Sequence, residues 1–404
     1  MESSDVFTVL DESKSRMIDS LIGMCRIPAL DPGSGGDGEL EKVKFLEGLL
    51  AELEIAFERM DAPDDRVSSG IRPNLLARLP GKEKRTIWIV SHTDVVPPGD
   101  LSGWKHDPFD PIVEGDRVIG RGVEDNGQSV ISSIYALWAV KKMIDRPNLS
   151  AGLALVADEE TGSEYGISYL IRKGAFDEDD IIVVPDRFSA EGSEIEVAEK
   201  NILWIRIEVE GKQAHASTPE KGINAHRAGA NLITWIDDHL HRVFDMEDPR
   251  FKPDRSTFEP TKKEANVPNV NTVPGKDVFY VDCRILPTYS TEEVFKEFEA
   301  LARRAEREFS VKVTLERVQE ESSPETPIDS DVVARMQKAI HDVLGAEPKL
   351  VGVGGGTCAA HFRKAGFPAV VCGTGDETAH NVNEYAIINN LLKDAKIYAA
   401  LFMS

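Results

Sequence analysis

His92 and Asp94 follow directly on an apolar, β-rich run, Thr86 to Val90, in a chain of 404 residues. This places them at the carboxyl end of a strand, where open α/β sheets form their ligand crevices. A spacing of two puts both side chains on one side of extended chain, so Asp94 can accept a hydrogen bond from the imidazole and orient it toward a metal. Asp125 lies in the turn-rich stretch Gly120 to Gly127, just before a helix that starts near Ser129. A carboxylate at a helix entry is ordinarily a cap. Asp158, Glu159 and Glu160 end the run Gly152 to Ala157; three consecutive carboxylates repel one another unless a cation or a proton compensates. Neighbours in extended chain point oppositely, so Glu159 and Glu160 can take different jobs. Asp186 follows the run Ile181 to Val184, and His380 lies just past Pro368 to Cys372. Singly, each has a bland reading as a strand-end histidine, a cap or a solvated acidic turn. Together they bring two histidines, three acidic groups and a spare glutamate to strand ends or strand-linked loops, and one metal site explains that better than five coincidences. Oxygen and imidazole donors without thiolate suit zinc, with cobalt or manganese as substitutes, and a shared aspartate ties two ions about 3.5–4 Å apart.

The elements that must hold these residues alternate in type. The runs Leu75 to Arg78, Thr86 to Val90, Gly152 to Ala157 and Ile181 to Val184 read as buried strands of a mostly parallel sheet. Between the second and third, Ser129 to Met143 carries apolar residues at helical spacing in one broad stripe. This is βαβ order. After Asp186 the pattern becomes strand (202–211), helix (223–244), strand (269–273), strand (277–286), helix (292–309) and strand (311–318). That βαββαβ order describes a ferredoxin-like α+β domain inserted into the first. The chain returns with a helix over 331–344, a glycine-rich loop, a helix over 358–364, a strand over 368–372 and a final helix from Ile387. The expected division is a discontinuous catalytic domain, 1–190 with 320–404, around an insert of 191–319. The segment 247–268, polar and proline-punctuated, reads as a surface loop.

Composition excludes several classes. The chain has 47 Lys and Arg against 70 Asp and Glu, a formal charge of −23, which is wrong for nucleic-acid binding by bulk electrostatics. No apolar run approaches the roughly 20 residues that span a bilayer, and the first residues lack a basic start with an apolar stretch, so a cytoplasmic protein is expected. Cys25, Cys283, Cys358 and Cys372 are scattered without a CxxC pair, which argues against a disulfide framework and a thiolate zinc site. Gly352 to Gly356 has neither GxGxxG spacing nor a following GK[ST], and carries no nucleotide expectation.

The HxD, GRGxxD, DEExG, strand-end Asp and late His elements occur here in the order of the M20 co-catalytic metallopeptidases and deacylases, and nearly the whole chain resembles that family. The resemblance implies a zinc-peptidase-like α/β catalytic domain with an inserted dimerisation or lid domain, and two zinc ions per chain. By it, His92 and Asp186 hold one ion, Glu160 and His380 the other, Asp125 bridges them, Asp94 supports His92, and Glu159 is the general base. The segment Gly211 to Pro219 is similar to the family's GxxxHxxxP element, which makes His215 a group acting on the oxyanion of a partner subunit, in a homodimer formed through 191–319. Asn271 to Pro274 resembles N-x-[IV]-P, and Asp282 to Arg284 resembles the strand DxR whose arginine binds a substrate carboxylate. A free-standing DxR is ordinarily a structural ion pair. Arg284, Asn271, Gly356 and Thr357 are thereby the implied substrate contacts.

Two departures bear on substrate. The family's DxKG reads Asp125-Asn126-Gly127-Gln128, which keeps the metal Asp and removes a lysine, and its GGTD loop reads Gly355-Gly356-Thr357-Cys358. Asp376 and Glu377 add negative charge beside His380, which favours a substrate with a free ammonium. The expected activity is metal-dependent amide hydrolysis of a small amino-acid derivative, first as an N-acyl-amino-acid deacylase of the desuccinylase or deacetylase type. A dipeptidase or exopeptidase is the alternative within the family, and a non-catalytic metal-dependent binding protein the alternative from another class.

Overall fold

The computed structural model describes residues 3–404. It divides into two compact units: one is formed by the chain up to Val197 with Thr326–Leu350 and His361–Ser404, the other by Ala198–Glu325 with Val351–Ala360. Among the described residues no helix is long and apolar enough to cross a membrane.

Strands Thr86–His92, Ser150–Val156 and Ile181–Val184 are buried along their whole length, as near-continuous apolar runs require when helices cover both faces of a sheet. The eight-stranded sheet has the order Phe57–Pro63, Ile71–Leu79, Ser150–Val156, Thr86–His92, Ile181–Val184, Ala369–Val371, Glu194–Glu199, Lys349–Val353. Its central strands, Ser150–Val156 through Ala369–Val371, are parallel, and antiparallel pairs flank them. The parallel strands therefore end at one common edge. Strands Phe57–Pro63, Glu194–Glu199 and Lys349–Val353 lay outside the sequence expectations, as did helices Lys14–Cys25 and Leu40–Glu52.

Helix Ser129–Met143 differs from the single stripe expected of it: Ser129 to Leu137, Ala139 and Val140 are all buried. The terminal helix Ile388–Phe402 packs against it, so it is enclosed all round. Its buried serines are satisfied by carbonyl oxygens, Ser129 Oγ donating to Pro185 O and Ser132 Oγ to Leu391 O, both at 2.8 Å.

On the terminal helix, buried Asp394 accepts hydrogen bonds from Gln128 Nε2 at 2.7 Å and Thr374 N at 3.4 Å, while its Oδ1 has no hydrogen-bond partner among the described residues. Burial pushes this carboxyl up to about 6, above the ordinary 3.8. A folded pKa above the unfolded one stabilises the fold fully below the unfolded value, and that contribution is lost as pH rises through about 6. Asp394→Asn keeps an acceptor for Gln128, and is expected to stabilise by about 2–3 kcal/mol at pH 8 with little change at pH 4. Urea titrations at both pH values check this, and equal effects at the two would assign the cause elsewhere.

In the second unit, a four-stranded antiparallel sheet of order Thr257–Lys263, Lys276–Ile285, Asn201–Glu210, Lys312–Glu321 shares a core with helices Ala225–Val243 and Thr291–Phe309. Leu203, Ile205, Ile207, Val209, Phe279 and Phe298 belong to it. The strand expected over 269–273 is only Thr272–Val273, paired with Ala214–His215. One edge of the sheet is instead Thr257–Lys263, inside the segment read as a loop. Pro260, Lys262 and Lys263 hid it, yet proline and charge are what edge strands tolerate, and Phe258 alone anchors it in the core.

Candidate metal centre

The common edge of the parallel strands collects the titratable residues. His92 is the last residue of its strand, Glu159 and Glu160 form a single turn just past Ser150–Val156, and Asp186 lies two residues beyond Ile181–Val184. Asp125 sits in the turn before helix Ser129–Met143, and His380 in the loop between Ala369–Val371 and Tyr385–Ile387. Asp158, in the left-handed region at φ 64°, turns the chain there; aspartate tolerates this conformation better than most residues.

The side chains converge. Asp125 Oδ1 is 2.9 Å from His92 Nε2 and its Oδ2 is 3.1 Å from His380 Nε2. His92 Nε2 is also 3.5 Å from Asp186 Oδ1, and His380 Nε2 is 3.1 Å from Glu160 Oε2. Two overlapping donor sets result, His92–Asp125–Glu160 and His92–Glu159–Asp186, each with its ligand atoms within 4.8 Å of one another. On the far side of the imidazole, His92 Nδ1 is 3.4 Å from Asp94 Oδ1 and 3.1 Å from the Asp94 carbonyl. The Asp94 carboxylate also accepts the backbone N–H of Glu159 at 3.1 Å and of Glu160 at 3.0 Å, so one side chain orients a histidine and holds the acidic turn. Asn126 Nδ2 donates to Asp186 Oδ1 at 3.0 Å and to Pro185 O at 2.8 Å, tying Asp186 to the Asp125 turn.

The electrostatics call for cations. Burial opposes charge on His92, but hydrogen bonds to Asp125, Asp186 and Asp94 outweigh it and hold the imidazole well above its ordinary value. Hydrogen bonds to Asp125 and Glu160 push His380 up to about 10. Burial would raise Asp125, yet its two histidine partners hold it well below the carboxylate range. Desolvation of the half-buried Glu159 carboxyl and the nearby Asp186 carboxylate push it well above that range. A donor set of two histidines and several carboxylates without a thiolate fits zinc, cobalt or manganese.

A family model described as peptidase family M20/M25/M40 matches residues 88–404. The chain belongs to this family. Like its relatives, it is a metal-dependent hydrolase. It is 36% identical over 392 residues to an uncharacterized metallohydrolase of Methanocaldococcus jannaschii, covering 93% of this chain and 96% of that protein. It is 29% identical over 390 residues to a succinyl-diaminopimelate desuccinylase of Phenylobacterium zucineum, with 94% and 95% covered. In fold it is similar to the aminopeptidase PepT of Bacillus cereus, at 21% identity and a TM-score of 0.76, over 96% of this chain and 98% of that one.

The M20 residues found on the sequence fall into two groups. His92, Asp94, Asp125, Glu159, Glu160, Asp186 and His380 meet in the first unit as described. His215, Asn271, Arg284, Gly356 and Thr357 belong to the second. There, His215 Nδ1 accepts the Ser217 N–H at 3.1 Å, which leaves the proton on Nε2, and the ring is exposed. Arg284 forks onto Asp282 of its own strand at 2.7 and 3.1 Å and donates to Gly354 O at 3.1 Å. The DxR element is therefore an ion pair whatever else it does. Thr357 Oγ1 donates to Glu199 at 2.5 Å, and the Ala216 N–H donates to Asn271 O at 2.9 Å.

One cluster behind the converging donors has no sequence signature. Arg72 is fully buried and paired with Glu39, with Asp31 at 3.1 Å, with Asp64 at 3.4 Å and with Asp158 at 3.6 Å. Asp158 in turn accepts from Thr161 Oγ1 at 2.5 Å and Tyr165 N at 3.1 Å. The turn presenting Glu159 and Glu160 is thus anchored from beneath by a cation. The carboxylates involved are spread over more than a hundred residues, and only a buried arginine could have hinted at them.

Proposed function

We propose that the chain hydrolyses an amide bond with two divalent ions, zinc in the first instance, held by His92, Asp125, Glu160, Asp186 and His380. The observation carrying this is Asp125, whose two carboxylate oxygens face a histidine on either side at 2.9 and 3.1 Å, as a bridging ligand requires. When bound, the ions supply Lewis acidity toward a carbonyl oxygen and lower the pKa of water.

The chain's own residues do the proton work. Glu159 lies in the His92–Glu159–Asp186 set but outside His92–Asp125–Glu160, and the five proposed ligands leave its carboxylate for proton transfer. Its carboxylate takes the proton of the attacking water and returns it to the leaving nitrogen as the C–N bond breaks. Burial and the neighbouring Asp186 carboxylate raise its basicity. Asp94 keeps His92 in one tautomer and the Glu159 turn in place. His215, with its proton on Nε2, is the donor a second copy of the chain would offer to the oxyanion in a homodimer through 191–319. Arg284, with Asn271, Gly356 and Thr357, is assigned to the substrate carboxylate.

For substrate, the reading is an N-acyl-amino-acid deacylase of the desuccinylase or deacetylase type, supported by the similarity to a succinyl-diaminopimelate desuccinylase over nearly the full length. The exposed acids Asp376 and Glu377 beside His380 favour instead an ammonium-bearing dipeptide. The test is a panel of N-succinyl-diaminopimelate, N-acetylornithine and dipeptides, given to metal-loaded and chelator-treated protein. Cleavage of the acylated compounds is expected, abolished by chelation and restored by zinc. Cleavage of dipeptides alone would select the second reading. Hydrolysis that survives chelation would sink the mechanism, and two bound ions with no cleavage would favour a metal-dependent binding protein.

A further inference from the structure

Two buried carboxylates outside the donor set, Glu124 and Glu384, are wired in opposite directions. Glu124 is next to Asp125 in sequence, yet its side chain serves the His380 loop. Its Oε1 accepts the Asp376 N–H at 2.9 Å, and its Oε2 accepts the Thr378 N–H and the Thr378 hydroxyl, the latter at 2.7 Å. Glu384 comes four residues after His380, yet it serves the Asp125 loop. Its Oε1 accepts the N–H groups of Glu124 at 3.0 Å and Asp125 at 3.1 Å, and its Oε2 accepts Gly122 N at 3.1 Å and Arg121 Nη1 at 2.6 Å. Four donors saturate the lone pairs of Glu384, so it has none left for a cation.

The surroundings are shaped to this wiring. Strand Tyr385–Ile387 pairs antiparallel with Arg117–Ile119, and Gly120 N donates to Glu384 O at 2.9 Å, which lays the two loops side by side. A Cβ on Gly375 would stand 2.5 Å from Glu124 Oε1, so only glycine lets the His380 loop approach that close. Both carboxylates are buried, 1% exposed for Glu124 and fully enclosed for Glu384. A buried carboxylate that spends its lone pairs on backbone N–H groups fixes the path of that backbone.

We propose that Glu124 and Glu384 are positioning residues that cross-brace the metal centre, each standing beside one ligand and clamping the loop that carries the other. The inference rests on the assignment of Asp125 and His380 as ligands. Glu124 sets where His380 stands, which bears on one ion; Glu384 sets where Asp125 stands, which bears on both. An amide at either position puts an NH2 group against donors, and the loop it clamped is released.

The experiment is Co2+ titration of chelator-stripped protein, followed by calorimetry and visible absorption, with circular dichroism and melting of the metal-free chain in parallel. Glu124→Gln is expected to weaken one of two binding steps by roughly 10–100-fold and spare the other. Glu384→Gln should weaken both and change the Co2+ absorption spectrum. Thr378→Val, which removes one donor to Glu124, and Glu384→Asp, which withdraws the carboxylate, carry the same pattern at smaller amplitude and decide the matter if an amide variant fails to fold. Unchanged affinities and spectra would overturn the bracing, as would equal weakening of both steps by Glu124→Gln alongside a lower metal-free melting temperature. A wild-type chain that takes up fewer than two ions would remove the ligand assignment first, and the bracing with it.

Discussion

Glu159→Gln is expected to retain two metal ions per chain and to lower kcat by roughly 10²–10⁴-fold, with KM nearly unchanged. The substitution keeps the shape of the side chain and removes its ability to accept a proton. Retention is expected because Glu159 is not among the five proposed ligands, His92, Asp125, Glu160, Asp186 and His380, and because Asp94 grips the backbone of this turn, not its side chain; Glu159 does belong to the second donor set with His92 and Asp186, which is why the metal count is part of the test. A loss confined to kcat is what removing a transition-state proton transfer produces. The substitution also takes a charge from a site where Asp186 and Glu159 repel each other, so metal-free stability should not fall. The measurement is steady-state kinetics together with metal analysis of the same preparation. Loss of an ion along with activity would make Glu159 a ligand, and full activity would eliminate it as the base.

How much of this was legible in the sequence depended on how local each signal was. The strand Ile181–Val184 and the helices Ser129–Met143 and Asp331–Leu344 have the bounds expected of them, because an apolar run or a helical period is written in consecutive residues. The meeting of His92, Glu160 and Asp186 was legible for a related reason: parallel strands deliver their carboxyl ends to one edge, so polar residues just past apolar runs come together. Asp125 and His380, in loops, were joined to them by the order of the family's motifs. Signals that cross the chain were not legible. Thr257–Lys263 looked like a loop because an edge strand has only one buried residue, Phe258, to announce itself. The four carboxylates around Arg72 share no spacing. Glu124 and Glu384 were hidden more thoroughly, since each is bonded away from its own neighbour in sequence. The first lies inside the glycine-rich stretch 120–127, and the second carries no motif that singles it out.

The second large effect is expected at Asp125. Asp125→Asn should reduce bound metal from two ions per chain to at most one and abolish hydrolysis, with a loss of affinity greater than the roughly 10–100-fold typical of outer partners. Each carboxylate oxygen faces a different histidine, Oδ1 toward His92 and Oδ2 toward His380. An asparagine has one oxygen and one NH2, and the NH2 cannot ligate a cation. Whichever way the amide turns, one histidine loses the donor it shared, and the negative charge between the two sites is lost as well. The backbone should hold, because Glu384 grips the backbone N–H groups of Glu124 and Asp125 and not the Asp125 side chain. Calorimetric titration of the stripped variant with zinc measures this directly, and a control melting curve separates loss of metal from loss of fold. Two ions bound at wild-type affinity would show that Asp125 is not shared, and the two histidines would then have to belong to separate mononuclear sites. Set beside Glu159→Gln, the pair separates two functions that a single loss of activity would confound: one variant keeps the metal and loses the proton transfer, the other loses the metal with the base still in place.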